Sequence, residues 1–586
     1  MTERRVPAFR SRAEAAFIAL AAGDALGWPQ EFPSKVLGGG SEQTATTAFR
    51  PWVRRGGGRF YPHEEHIQAG EYSDDTQLVL AVARCRMLSG TSWWGALTRT
   101  ELPLWTLYER GGGGATKRAT EMWIKGMPPW RSNDSRAVRR YFDAGGNGVT
   151  MRVLPHAIFY ACEADPTPLM RDVVTDGVAT HGHPRALVGA TAYAFAAWWL
   201  LRSEQTIRFG ELVQVLLENA AVWGALPATN PARNGWLDAA DRSTPNGYEA
   251  AWSTVVGEMR DLFHRVERGL NAGAIADDDE ILRDLGCFGK AKGAGTVSTA
   301  AAVYLCARYA AQPVQAVLKA AFARKADTDT IAAMSGGLVG CLAGQDWLPP
   351  EWKEVQDYEY LRRMANQVAQ GPSAAQHRPA GLRTIGQREL DSLRAVLVEG
   401  HRGSLDLDGI RHAEVVDLIC PTPLSKSTVA QVWQLRTSDG QTIYVTKLGR
   451  RSKTAGPREP ELQTSGRPPM LRTDGHAVPL ATAAGLKLTV TDIKAMAAFY
   501  EGVLGLRPGK RSHRFVSYGA LSLVDAQTAA DLSGGAVDPK MDARRHRIQV
   551  HVSDLDAAYR RVQQLGGRVA QPITEMPWRE RVFHCV

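Results

Sequence analysis

Two short acidic clusters hold the residues of this chain best suited to chemistry: Ser73-Asp74-Asp75-Thr76 and Asp327-Thr328-Asp329-Thr330. Each leads into an apolar run patterned as a helix, starting at about Thr76 in one case and about Thr330 in the other. Four carboxylates with neighbouring hydroxyls, once a fold brings them together, make an oxygen-only cage suited to Mg²⁺, Mn²⁺ or Ca²⁺. Each cluster alone also reads as a plain helix start, where Ser, Thr and Asp cap and acids oppose the helix dipole. Residues i and i+2 of a helix point to opposite sides. Asp327 and Asp329 therefore reach one centre only where the motif straddles the helix start. Four adjoining carboxylates cannot all stay ionised without a cation among them.

Other motifs lie between and around the clusters in a fixed order. The first is Phe17-Ile18-Ala19-Leu20-Ala21-Ala22-Gly23-Asp24-Ala25-Leu26-Gly27, followed by Glu31. After the first acidic cluster come Gly146-Asn147-Gly148-Val149-Thr150-Met151-Arg152 and Thr180-His181-Gly182-His183-Pro184. Gly293-Ala294-Gly295-Thr296 precedes the second cluster. Taken in this order over about residues 12–345, the chain resembles the ADP-ribosylglycohydrolase family, enzymes related to the dinitrogenase-reductase-activating glycohydrolase.

That resemblance implies an all-α domain with two Mg²⁺ (or Mn²⁺) ions at the bottom of a cleft. It implies hydrolysis of the glycosidic bond of an ADP-ribosylated protein or small-molecule acceptor, with release of ADP-ribose. By the same resemblance Ser73, Asp74 and Asp75 would ligate from one side, and Asp327, Asp329 and Thr330 from the other. Glu31, Asp75 and Asp329 would be the catalytic carboxylates, with Glu31 on a loop near the scissile bond. Gly146, Asn147, Gly148, Gly293 and Gly295 would approach the ADP-ribose, where absent side chains let backbone amides reach phosphate oxygens. His181 would line the site.

Three positions depart from the family pattern. Ser73 stands where Thr is usual and keeps the hydroxyl, and Val149-Thr150 replaces smaller residues. Lys325-Ala326 stands where Gly-Gly is usual, which would either forbid a left-handed backbone or bring a cation near the acids. The alternative reading is a helical domain that binds ADP-ribose, or acts as a scaffold, without cleaving.

The histidines carry simpler readings. His181 and His183, before Pro184, line a pocket or cap the next helix, since hard-ion sites favour oxygen. His63 and His66, in a polar Gly-rich stretch, read as solvated loop.

With 586 residues, 44% apolar and 22% charged, the chain is ordinary globular material with room for several domains. No apolar run is long enough to span a membrane. The basic N-terminus before Ala15–Leu26 invites a signal-peptide reading, but Glu14 and Asp24 interrupt it, and a core helix is the better account. Seven scattered cysteines without a CxxC pair point to reduced thiols in a cytoplasmic protein. Residues 371–586 hold 30 Lys+Arg against 21 Asp+Glu, so the net charge of +9 lies in that third of the chain. A solvated basic surface is expected there, and nucleic acid is not, because no nucleic-acid motif accompanies it.

The elements that must position these residues divide the chain into four parts. Residues 12–370 read as the all-α catalytic domain, with long Ala-rich helices at Arg185–Arg202 and Val297–Ala311. In Ile331–Ala343, Gly336, Gly337 and Gly340 would let a neighbouring helix approach closely. Residues 371–448 read as a small unassigned α/β segment: a helix at Arg388–Glu399, then a hairpin of Val429–Arg436 and Thr442–Leu448 about Ser438-Asp439-Gly440. Residues 449–480 read as a flexible linker.

Residues 481–586 resemble the vicinal oxygen chelate superfamily of glyoxalase and bleomycin-resistance proteins, an α+β module. The resemblance is carried by Leu488-Thr489-Val490-Thr491-Asp492, Ala498-Phe499-Tyr500 and Val503-Leu504-Gly505-Leu506. A second copy follows in Ile548–Asp554, Ala557–Leu565 and Gly566-Gly567. The positions of the superfamily's first two metal ligands fall near Gly485 and Arg547, so this module is expected to be metal-free, and incomplete or completed by another chain. Binding of a small ligand there is a further expectation.

Overall fold

The computed structural model describes residues 8–31, 45–88, 93–227, 235–273, 276–371, 383–398, 403–425 and 427–450, with separate short stretches between 486 and 585. Two compact units, Met1–Pro457 and Arg458–Val586, divide the chain.

The first unit is built around an antiparallel helix pair. Helix α1 (Phe9–Gly27) is buried along almost its whole length, as an Ala-rich sequence with no polar face requires. Its partner is the helix Thr328–Ala343, numbered α5 in the order used here, with α2 (Asp74–Arg86), α3 (Pro184–Arg202) and α4 (Gly295–Arg308) before it. The pair is pressed together at glycines from both sides. A Cβ at Gly336 would fall 2.1 Å from the Ala19 carbonyl oxygen, and one at Gly340 would fall 2.4 Å from Ala16. Gly23 and Gly27 meet Ala332 and Thr328 in the same way. The glycines expected to permit close approach do so, and the register sets the end of α1 beside the start of α5.

The described part of residues 8–371 is otherwise helical, apart from one hairpin: β1 (Trp52–Gly56) paired antiparallel with β2 (His63–Ile67). Here the expectation of a solvated loop at His63–His66 is overturned. His63 and Glu65 are buried while His66 is exposed, the two-residue alternation of a strand. Its polar residues hid that period, because Glu65 is satisfied by ion pairs with Arg54 and Arg110 and His63 by the Tyr61 carbonyl rather than by apolar contact.

Residues 404–450 form a four-stranded antiparallel sheet of order β3-β4-β6-β7: β3 (Ser404–Asp406), β4 (His412–Ile419), β6 (Thr428–Thr437) and β7 (Thr442–Arg450). The hairpin about Asp439-Gly440 is present, and β7 runs two residues past its expected end. The short β5 (Thr422–Pro423) leaves this sheet and pairs with β2. After helix α6 (Tyr358–Val368), the expected helix near Arg388 forms as α7 (Gln387–Val396). Leu405, Trp433, Leu435, Ile443 and Val445 of the sheet share one core with Leu78, Val82 and Cys85 of α2. Helix α2 thus lies between two cores, since Val79, Leu80 and Ala83 face the α1 side.

In the second unit, β8 (Leu486–Val490), β9 (Lys510–Ser512), β10 (Phe515–Tyr518) and β11 (Leu521–Asp525) make a sheet of order β8-β11-β10-β9. Strands β12 (Val569–Glu575) and β13 (Arg581–Cys585) pair antiparallel. Gly485, Arg547, Ala498-Phe499-Tyr500 and Ile548–Asp554 lie outside the described residues, as does 451–480 of the linker.

Among the described residues no helix is long and apolar enough to cross a membrane. Cys85, Cys287, Cys306 and Cys341 are buried free thiols, and Cys162 and Cys420 are exposed ones.

Candidate active site

The two acidic clusters meet, and each sits across a helix start as the geometry demanded. Ser73 caps α2, its hydroxyl accepting from the Asp75 amide at 3.3 Å. Asp327 precedes the first residue of α5 without a side-chain capping bond, and its carboxylate turns instead to Asn147. Both helices begin two residues earlier than the apolar pattern suggested, because the buried acids count as part of the first turn.

The clusters touch where the Thr330 hydroxyl donates to Asp75 Oδ2 at 3.4 Å. Glu31 closes a short 3₁₀ turn, Trp28–Glu31, at the end of α1. There it joins Asp327 and Asp329, with one carboxylate oxygen of each lying within 4.8 Å of the others. Asp74 is not part of that group. It faces Glu109 and the Gly111 backbone, where a Cβ would stand 3.0 Å from Asp74 Oδ1.

A wall of backbone closes one side. The Asn147 amide donates to the Gly293 carbonyl at 2.9 Å, and the Gly295 amide to Gly145 at 3.1 Å. Asn147 Nδ2 reaches Asp327 Oδ2 at 2.8 Å and Ser298 Oγ at 3.0 Å. A Cβ on Gly293 would lie 3.1 Å from Asp327 Oδ2, so a side chain there would press that carboxylate aside by a few tenths of an ångström. His181 lies beside this loop, its ring 2.9 Å from where a Gly148 Cβ would be. Burial, then the charges of Arg152 and Arg118, push the His181 imidazole down to about 3, so it is neutral. His183 caps α3 through the Arg185 amide, one of its two expected roles.

Two residues outside the expected set matter to this arrangement. Asp24 is fully buried and accepts from the Ser73 amide (3.0 Å), the Thr76 amide (3.0 Å) and the Thr76 hydroxyl (2.7 Å). It fixes the first cluster from behind, and an acid inside the Ala-rich run Phe17–Gly27 was the sequence signal for it. Lys292 donates to the carbonyls of Lys325 and Ala326 at 3.3 and 3.4 Å, and its charge also acts on Glu31. Lys325 itself takes a left-handed backbone, φ 75°, so the missing glycine does not prevent that turn.

The donors suit a hard divalent cation. All are oxygens, and Asp75 Oδ1 is buried without a hydrogen-bond partner. Burial, then neighbouring carboxylates, push Asp74, Asp75 and Asp329 well above the usual carboxylate range. Burial and Asp327 raise Glu31 to about 7. A cation would relieve that mutual repulsion.

Residues 478–586 match the model of the glyoxalase/bleomycin resistance protein/dioxygenase superfamily. ADP-ribosyl-[dinitrogen reductase] glycohydrolase of Rhodospirillum rubrum is 23% identical over 386 residues, covering 62% of this chain and 96% of that protein. A solved structure described as an ADP-ribosylglycohydrolase-related protein complex aligns with a TM-score of 0.39 and 19% identity, over 62% of this chain and 99% of that one. The model of the ADP-ribosylglycohydrolase family matches residues 5–378, well over half of the sequence, and this chain belongs to that family.

Proposed function

We propose that this protein is a Mg²⁺-dependent hydrolase that cleaves the glycosidic bond of an ADP-ribosylated protein or other ADP-ribosyl acceptor and releases ADP-ribose. The observation that carries the reading is the convergence of Glu31, Asp327 and Asp329 beside the Asp75–Thr330 contact, next to the Asn147–Gly293 wall. Family membership supports hydrolysis of an ADP-ribose linkage.

Ser73, Asp74, Asp75, Asp327, Asp329 and Thr330 would hold two Mg²⁺ ions, with Mn²⁺ able to replace them. When bound, the ions supply positive charge to fix the ribose hydroxyls and to acidify a water molecule. Asp24 fixes the backbone of the first cluster and Asn147 orients the Asp327 carboxylate through the hydrogen bonds above. Glu31, half-buried within the group, assists the leaving group or positions water as the C1″ centre takes on oxocarbenium character. The half-buried backbone at Gly146, Gly148 and Gly293 receives the ADP-ribose, Gly295 is buried behind it with its amide committed to the Gly145 carbonyl, and neutral His181 lines the loop without adding charge.

The test is release of free ADP-ribose from arginine-ADP-ribosylated protein, with Mg²⁺ and again with EDTA. Release that EDTA abolishes is expected. Release undiminished by EDTA would remove the metal from the account, and tight ADP-ribose binding with no release from any acceptor linkage would leave a binding protein.

A further inference from the structure

The sheet of residues 404–450 lies beyond the end of the family match at residue 378, yet it is fastened to the segments that carry the first acidic cluster. We propose that this sheet is a positioning element of the site, and that Thr442 and Tyr444 on β7 are its two working contacts. The inference rests on reading residues 73–76 as part of the site.

Tyr444 makes the first contact. Its hydroxyl donates to Glu71, and its ring lies under Arg110, with Cζ 3.9 Å from the ring centroid. Arg110 in turn bonds Glu71 at 2.7 Å and Glu65 at 2.6 Å, all three side chains being buried. The next residue is Gly111, whose left-handed backbone (φ 102°) passes against Asp74 and the Trp28 indole. One side chain of β7 thus fixes both the approach to α2 and the backbone that borders Asp74.

Thr442 makes the second. Its amide and hydroxyl both donate to Asp357 at 2.7 Å, and Tyr72 donates to the same carboxylate at 2.9 Å. Tyr72 immediately precedes the capping Ser73. Asp357 precedes α6 with a left-handed backbone, φ 59°, and makes no side-chain capping bond, its carboxylate accepting from Thr442 and Tyr72 instead. Two further ties reach the same region. Arg84 of α2 bonds Gln441 at 2.9 Å, and β5 pairs with β2 while Trp52 of the β1–β2 hairpin packs edge-on against Trp28, 5.1 Å between rings. Trp28 opens the turn that ends at Glu31.

A sheet that served only to cover apolar surface would not direct polar side chains at Glu71, Asp357 and Arg84, all within or beside the site's own supports. Buried polar junctions of this kind fix one geometry, because each group left unpaired is costly.

The test uses the full chain and two near-isosteric variants, Tyr444→Phe and Thr442→Val, each compared with wild type by amide hydrogen exchange and by Mn²⁺ titration. Faster exchange on the order of tenfold, confined to residues 70–77 and 109–112, is expected. With it should come an Mn²⁺ midpoint weakened about fivefold, at a melting temperature close to wild type. Exchange that stays at the wild-type rate in those segments, or that rises evenly along the chain, would overturn the proposal. So would a wild-type Mn²⁺ midpoint in both variants. Wild-type protein that takes up no Mn²⁺ would instead sink the metal reading alone, and the exchange map would still decide the role of the sheet.

Discussion

The Thr330 hydroxyl stands 3.4 Å from Asp75 Oδ2, joining two motifs that the chain holds far apart. The contact exists because α1 and α5 run antiparallel in tight register, which fixes the start of α5 beside the α1 end and the α2 cap. Everything claimed for the site depends on that register.

Substitution at the glycine contacts should therefore be severe. A methyl at Gly336 would meet a backbone carbonyl that cannot rotate away. Gly336→Ala is expected to destabilise by about 3 kcal/mol or more, the upper end of overpacking costs. Gly257→Ala makes the contrast: this glycine lies within the helix Tyr248–Asn271 with open space at its Cβ. It should stabilise by about 1 kcal/mol. Urea unfolding of both proteins would show whether helix contact or glycine content governs the effect.

Arg152 is buried and ties the Gly148 carbonyl at 2.8 Å to Asp176, which it also bonds through Nε at 2.8 Å. Arg152→Met would leave Asp176 buried with the His156 imidazole, whose pKa burial lowers, as its remaining side-chain partner at 2.9 Å. A loss of about 3–5 kcal/mol is expected from stranding that carboxylate. A denaturation midpoint equal to wild type would show that the Asn147–Gly148 loop is held by something else.

Lys325 tests the departure from glycine directly. Its left-handed backbone costs an ordinary residue about 1 kcal/mol, so Lys325→Gly should leave stability unchanged or raise it slightly. A marked fall in melting temperature would mean that the lysine side chain, not the turn, is what matters at this position.

Acid should weaken the junction behind the site. Burial alone would raise the Glu65 carboxyl, but the guanidinium groups of Arg110 and Arg54 outweigh it and bring it down to about 2 from an ordinary 4.5. The folded value lies below the unfolded one. Its contribution is thus full above about pH 4.5 and is lost as pH falls towards 2. Stability measured between those values should fall more steeply in wild type than in Glu65→Gln. Parallel curves would contradict the assignment.

How much of this was legible beforehand follows from which interactions write a pattern into sequence. The acidic clusters and the apolar helices were readable because composition and period mark them, and the Asn147 and Gly293 loops were readable only through the family resemblance. The β1–β2 hairpin was not, since Glu65 is buried by charge pairing and His63 by a hydrogen bond to the Tyr61 carbonyl, and neither marks an apolar rhythm. The shared core of α2 and the 404–450 sheet was equally hidden. α2 is buried on both faces, so its sequence shows helix but not how many partners it has. Lys292 carried no signal at all, because its partners are backbone carbonyls set by the Lys325 turn.

The central claim is that Asp75 and Asp329 belong to one hydrolytic site. The most direct measurement is ADP-ribose release from arginine-ADP-ribosylated protein at saturating Mg²⁺ by wild type, Asp75→Asn and Asp329→Asn, with melting temperatures taken alongside. Both variants are expected to stay folded and to fall to the level of the wild-type enzyme in EDTA. Wild-type turnover by either folded variant would contradict the account.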